Sequence, residues 1–67
     1  MYLKAKEGKE GWWLRLPESR QWRRIKSVKH GRLLSIFKLE GDVPAYTVEG
    51  SERIALESHP GWARNYS

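Results

Sequence analysis

The stretch RLPESRQWRRIKSVKHGRLLSIFK, from Arg15 to Lys38, decides how the rest of the chain is interpreted. Its net charge of +7 lies between segments of +1 and −3, so the chain's overall charge of +5 originates in this stretch. A basic concentration of this kind favours a polyanionic partner, with nucleic acid first and an acidic protein surface second. The eight cations are Arg15, Arg20, Arg23, Arg24, Lys26, Lys29, Arg32 and Lys38.

Residues 22–29 are predicted to form a strand that pairs with residues 32–39 across a two-residue turn at 30–31. This register places Ile25 opposite Ile36, which is a favourable apolar cross-strand pair. Side chains alternate between the two faces of a strand, so the hairpin has one mainly apolar face and one cationic face. The apolar face is predicted to be core and carries Trp22, Val28, Leu33, Phe37 and Leu39, with Arg24 and Lys26. The cationic face carries Arg23, Lys29, Arg32 and Lys38, with Ile25, Ser27, Leu34 and Ile36.

A helix over residues 17–30 is the alternative for the same stretch. Pro17 then occupies the first turn, residues 22, 25 and 28 form an apolar stripe, and Gly31 ends the helix. The β-branched residues Ile25 and Val28 favour the strand. Residues 51–58 are open to a similar choice, between a strand at 53–57 and a short helix capped by Ser51.

Short apolar segments follow one another along the remainder of the chain. Five of the six glycines separate such segments at intervals of about ten residues, which is typical of small antiparallel folds. A hairpin is predicted over residues 1–16 and a strand over 45–48, and Trp62 is predicted to fold back over an open end of the core. The expected fold is mainly β: a single domain over residues 1–67, with five or six strands in an antiparallel meander or barrel of SH3-like or OB-like type.

Composition excludes several functional classes. The chain has no Cys, so neither a disulfide framework nor a thiolate metal site can form. Its two histidines lie apart from any carboxylate at ligand spacing, and no serine lies in a nucleophile motif. No apolar run is long enough to cross a membrane, and charges interrupt the N-terminal segment. We therefore expect a non-enzymatic cytoplasmic protein with no cofactor, no metal and no membrane association.

The eight cations of 15–38 are the predicted nucleic-acid-binding residues, because Arg and Lys neutralise phosphates and Arg does so in a bidentate manner. Trp12 and Trp13 are candidates for base stacking or for a protein interface. As neighbours on a strand they point to opposite faces, so one is predicted to enter the core. The competing interpretation is structural: the cations form a solvated face that offsets the acidic C-terminal half, and both Trp side chains contribute to the core.

Two functions therefore remain open from the sequence. The first is a nucleic-acid-binding module, for either DNA or RNA, that uses the basic stretch to contact the phosphate backbone. The second is a small regulatory protein of the phage or mobile-element type, an inhibitor or adaptor that docks on an acidic or nucleic-acid-binding protein. In either case a homodimer through exposed strand edges is compatible with the pattern.

Overall fold

The computed structural model describes residues 1–59 and folds them into one antiparallel sheet of six strands. The strands in chain order are β1 (Tyr2–Lys4), β2 (Trp13–Arg15), β3 (Trp22–His30), β4 (Leu34–Leu39), β5 (Tyr46–Glu49) and β6 (Arg53–Glu57). Their order in the sheet is β1-β6-β2-β3-β4-β5. The hairpin predicted over residues 1–16 is wrong, because β6 lies between β1 and β2 and pairs with both. The predicted mainly β antiparallel fold is confirmed. Within residues 1–59 no pairing joins β1 to β5, so the sheet is curved but is not a closed barrel.

Both segments with a helical alternative are strands. Residues 22–29 belong to β3, and residues 53–57 form β6, so the helices considered for 17–30 and 51–58 are wrong. The described part of the chain contains a single helical element, a 3-10 helix at Ala5–Glu7. It holds no helix long and apolar enough to cross a membrane. The position predicted for Trp62 lies outside the described residues.

The register of the central hairpin differs from the prediction by four residues. Val28 lies opposite Phe37 rather than Leu33, and His30 lies opposite Ser35. The turn therefore has four residues, 31–34, and the Gly31 amide donates to the Leu34 carbonyl at 2.7 Å. Phe37 and Leu39 are buried as predicted, and the Phe37 ring is completely buried. Leu33 instead lies in the turn and is 77% exposed, so its predicted core position is wrong.

A β-bulge in β3 changes which face Ile25 occupies. The pairing shifts between Ile25 and Ser27, which lie opposite Leu39 and Lys38. The extra residue, Lys26, reverses the alternation of side chains along the strand. Ile25 consequently points into the core and is 1% exposed, although the regular strand predicted it on the cationic face. Trp22 falls on the opposite, outer side, facing Arg15 of β2, so its predicted core position is wrong as well.

The core lies on the concave side of the sheet and is closed at one end by the 3-10 helix. Gly8 follows this helix so closely over the core that an added Cβ would lie 2.6 Å from the Phe37 ring. Ala5 is fully buried beneath it. The fully or nearly fully buried apolar cluster consists of Ala5, Leu14, Ile25, Phe37, Leu39, Ile54 and Leu56.

The antiparallel strands β3 and β4 are followed and preceded by loops at two opposite ends. The four-residue turn 31–34 of the β3–β4 hairpin lies at one end. The turn 16–21 between β2 and β3 and the segment 40–45 that precedes β5 lie at the other. The turn 16–21 is fixed by two hydrogen bonds, from the Leu16 amide to the Gln21 carbonyl at 2.9 Å and from the Arg20 amide to the Leu16 carbonyl at 2.8 Å.

Candidate nucleic-acid interface

Five of the predicted cations are exposed on the β3–β4 hairpin. These hairpin cations are Arg24, Lys26, Lys29, Arg32 and Lys38. Lys29 lies opposite Ile36 and Lys38 opposite Ser27, so Lys29 and Lys38 are diagonal neighbours across the pair of strands. Their Cα atoms are about 7–8 Å apart by standard sheet geometry. Arg24 is about 16 Å from Lys29 along β3, at about 3.3 Å per residue.

None of the hairpin cations forms an ion pair with an acidic residue of the described chain. The ion pair found within residues 1–59 joins the N-terminal ammonium group to Glu57 at 2.7 Å, on the other side of the sheet. The acidic turn that follows β4, with Glu40 and Asp42, therefore does not neutralise the hairpin. The hairpin keeps a concentration of positive charge that faces solvent, which is the arrangement an anionic partner requires.

Arg15 does not belong to this surface. Its guanidinium donates from Nη2 to the Tyr2 hydroxyl at 2.6 Å. It also lies 5.9 Å from the centre of the Tyr2 ring and 5.8 Å from that of Trp22, within the range of cation–π attraction. Arg15 therefore joins three strands on the outer face of the sheet. Arg20 is exposed, but it lies in the turn 16–21, at the end of the molecule away from the hairpin turn.

Arg23 is half-buried and faces inward, so the prediction that it lies on the exposed cationic face is wrong. It pairs with the buried Leu14, because the bulge places this part of β3 on the core side. Its Nη2 donates to the Gln21 side-chain oxygen at 3.1 Å, and its Nε is buried without a hydrogen-bond partner in the structure. Gly41 accommodates the guanidinium, since a Cβ there would lie 2.5 Å from Nη1.

The two adjacent tryptophans are both half-buried, on opposite faces of the sheet. Trp12 packs against the core, and the Lys9 ammonium group lies 5.8 Å from the centre of its ring. Trp13 lies on the outer face, opposite Arg24 on one side and Glu57 on the other. Of the two stacking candidates, Trp13 is therefore the one that adjoins the hairpin cations.

Exposed aliphatic side chains accompany these cations, in agreement with the predicted positions of Leu34 and Ile36 on the cationic face. Leu34 and Ile36 point outward from β4, and Ile36 is 37% exposed between Lys29 and Thr47. In the structure the outer face of β4 is open, so apolar and cationic side chains form one mixed surface.

A contact that the sequence does not indicate joins His30 to Ser35 at the base of the hairpin turn. The His30 Nδ1 lies 2.7 Å from the Ser35 hydroxyl, and its Nε2 lies 2.8 Å from the Gly8 carbonyl. A carbonyl only accepts, so Nε2 carries the hydrogen, and in the neutral ring Nδ1 accepts from the serine. A His–Ser contact resembles an activated nucleophile, but the Ser35 side chain is only 1% exposed and no substrate can reach it. The contact fixes the turn to the segment after the 3-10 helix.

The described residues contain no cluster of three potential metal ligands. Comparison of the chain with protein-family models, with curated proteins and with solved structures gave no match. The site is therefore interpreted from its own geometry and chemistry.

Proposed function

We propose that the chain is a non-enzymatic cytoplasmic module that binds nucleic acid through the hairpin cations. The observation that supports this proposal is the unpaired state of these five side chains on one hairpin. A solvated structural face would also leave these charges unpaired, so it is their concentration on one hairpin, and not the lack of carboxylates alone, that favours an anionic partner. Phosphates of a nucleic-acid backbone supply the missing partners.

The surface favours contacts to the backbone over recognition of base sequence. Contacts to phosphates fix the position of a protein on a duplex but carry no sequence information. The hairpin cations extend over about 16 Å along β3, from Arg24 to Lys29, so they can contact several successive phosphates. We therefore expect similar affinity for duplexes of different sequence.

The salt dependence of binding tests this function directly. If the hairpin cations neutralise about five phosphates, the logarithm of the association constant should fall against the logarithm of salt concentration with a slope of about −4 to −5 on duplex DNA. Fluorescence anisotropy with labelled duplexes and single strands at several salt concentrations measures this slope. Absence of binding to every probe at low salt would refute the proposal.

Charge-matched double variants test the location of the surface. Lys29→Ala with Lys38→Ala removes two diagonal neighbours on the hairpin and should reduce the slope by about 2 on every sequence. Lys4→Ala with Arg53→Ala removes the same charge from the β1–β6 pair, where the two residues lie opposite one another, and should leave the slope nearly unchanged. Arg23 is unsuitable for this test because its guanidinium is packed against Gly41. Equal effects of the two double variants would show that net charge, and not this surface, determines binding.

The exposed aliphatic residues favour a second candidate function, a regulatory module that docks on an acidic or nucleic-acid-binding protein. Ile36 lies opposite Lys29 on the outer face of the sheet, and apolar contacts surrounded by charge are typical of protein interfaces. Ile36→Ser should abolish capture of a stoichiometric protein partner from nuclease-treated lysate, and it should leave the salt slope on duplex DNA unchanged. Loss of all partners on nuclease treatment would favour the first function.

A further inference from the structure

An apolar groove lies at the end of the molecule opposite the hairpin turn. It has a volume of about 290 Å³ and is formed by the segments 16–19 and 43–46. Each wall contains a proline, Pro17 or Pro44, whose fixed φ limits movement of the wall, and the turn 16–21 is fixed by its own hydrogen bonds. The volume is just below the range of small-molecule sites, about 300–1,000 Å³. The groove therefore suits one or two aliphatic side chains.

The charged side chain that lines this groove is a carboxylate, whereas the hollow that adjoins the groove also holds Arg15 and Arg53. Glu18 is the one charged residue among those that line the groove. Tyr46 forms a side of the groove, and Glu52 lies beyond it in the adjoining hollow of about 200 Å³. Burial, and then the carboxylates of Glu52 and Glu18, raise the pKa of the Tyr46 phenol above its ordinary value of 10.0. Both carboxylates thus act on the same phenol, and a cation beside an apolar group is the complementary ligand.

The hairpin turn of the same chain has this chemistry. Arg32 is exposed in the turn and precedes Leu33, whose side chain is the most exposed of the large apolar residues in 1–59. The backbone of the turn is fixed by the bond from the Gly31 amide to the Leu34 carbonyl and by one from the Gly50 amide to the Leu33 carbonyl at 2.9 Å. A fixed turn presents Leu33 at little further cost in conformational entropy.

We infer that this protein associates with itself head to tail, with Arg32 and Leu33 of one copy bound in the groove between Pro17 and Pro44 of the next. Leu33 fills the apolar groove, and Arg32 lies beside Glu18. The turn and the groove lie at opposite ends of β3 and β4, so an end-to-end contact is heterologous, and a second copy leaves one groove and one turn free. The association therefore continues into longer chains of molecules instead of stopping at a symmetric dimer. This inference does not depend on the proposed binding of nucleic acid.

Two variants that each disable one side of the contact provide the test. Leu33→Ser removes the apolar side chain from the turn, and Ala45→Arg places a bulky cation in the groove. Each variant alone should be monomeric by sedimentation velocity under conditions in which the wild type forms a concentration-dependent series, with affinity reduced roughly tenfold or more. Mixed in equal amounts, they should form a one-to-one dimer and nothing larger, because each retains one intact surface. The samples are freed of nucleic acid first, so the result is independent of that activity.

Further variants serve as controls for misfolding and for association through other interfaces. Charge reversal at two exposed positions, Arg32→Glu and Glu18→Lys, should weaken association singly and restore it when the two variants are mixed. Ile36→Ser is the control on the open face of the sheet and should associate as the wild type does. A wild type that stays monomeric at all concentrations would overturn the inference. So would a dimer that survives Leu33→Ser and Ala45→Arg, as expected for pairing of strand edges, or association that is lost in Ile36→Ser.

Discussion

Arg15 and the N-terminal ammonium group are engaged in contacts on the β1–β6–β2 side of the sheet, whereas the five hairpin cations have no acidic partner within residues 1–59. On the first side Arg15 lies between two aromatic rings, and the N-terminal ammonium group binds Glu57. On the hairpin, Lys29 and Lys38 are diagonal neighbours with no acidic partner in the described chain. Positive charge in a sequence therefore divides into cations that stabilise the fold and cations that remain available to a partner.

The largest expected effect is that of replacing Phe37, whose buried ring connects the hairpin to the core. Phe37→Ala should lower the free energy of unfolding by about 3–5 kcal/mol, because it removes a fully buried aromatic side chain and leaves a cavity. Urea denaturation followed by circular dichroism measures the loss. A loss below about 1 kcal/mol would mean that the hairpin is not fixed to the core through Phe37.

Substitution of Gly8 tests the same packing of Phe37, because Gly8 lies against the Phe37 ring. Gly8→Ala should destabilise the fold by about 1–3 kcal/mol, since the new methyl group would lie 2.6 Å from the Phe37 ring and must displace it. Gly11→Ala is the control for space, because no atom lies within 4 Å of a Cβ there; its strain arises from a positive φ of 88°. In a Phe37→Leu background the cost of Gly8→Ala should fall, whereas an unchanged cost would contradict the proposed clash.

A pair of single-charge variants separates the two kinds of cation. Arg15→Ala should lower the free energy of unfolding by about 1–2 kcal/mol, because it removes a hydrogen bond and two cation–π contacts. Lys29→Ala should change it by less than about 0.5 kcal/mol, as expected of an exposed side chain away from such contacts. For affinity to duplex DNA the order should reverse, with a larger loss for Lys29→Ala than for Arg15→Ala. Equal losses of stability in the two variants, measured by thermal unfolding, would contradict the distinction between cations that stabilise the fold and cations that remain available to a partner.

The smallest expected effect is a dependence of stability on alkaline pH at Tyr46. The pKa of this phenol is raised in the folded state, first by burial and then by Glu52 and Glu18. The unfolded chain therefore loses the proton first, and the stabilisation present below the ordinary pKa of 10.0 is lost as the pH rises through the folded-state value. Tyr46→Phe should show a shallower decline of unfolding free energy over this range. An identical decline in both proteins would assign the effect to other groups.

The existence of the strands followed from local features of the sequence, whereas their register did not. Alternating apolar residues and regularly spaced glycines predict β segments because both are properties of neighbouring residues. The four-residue turn is selected by burial of Phe37 under Gly8, which is remote in the chain. The bulge at Lys26 likewise depends on the pairing partner of β3, and it alone moves Ile25 into the core.

The candidate surface was predicted only in part, because some of its contacts also depend on residues that are remote in the chain. The hairpin cations were identified because charge is visible in the sequence. The exposure of Lys29, Arg32 and Lys38 agrees with the prediction, whereas Arg24 and Lys26 were predicted on the core face and are exposed in the structure. The positions predicted for Arg15 and Arg23 were wrong. Arg15 contacts Trp22 because the sheet brings β2 beside β3, and Arg23 contacts Gly41 in the turn that follows β4. The groove of residues 16–19 and 43–46 combines two loops separated by the entire hairpin, so no local pattern indicates it.

The position of β6 between β1 and β2 has a consequence for the order in which the sheet assembles. The β3–β4 hairpin needs only residues close to each other in the chain, so it can form early. Leu3, by contrast, pairs with Ile54, about fifty residues later. On the ribosome, β1 therefore emerges first but finds its partner last. Until residues 53–57 are available, the N-terminal strand has an unpaired backbone, and this is the interval in which the chain is most exposed to pairing with other strands.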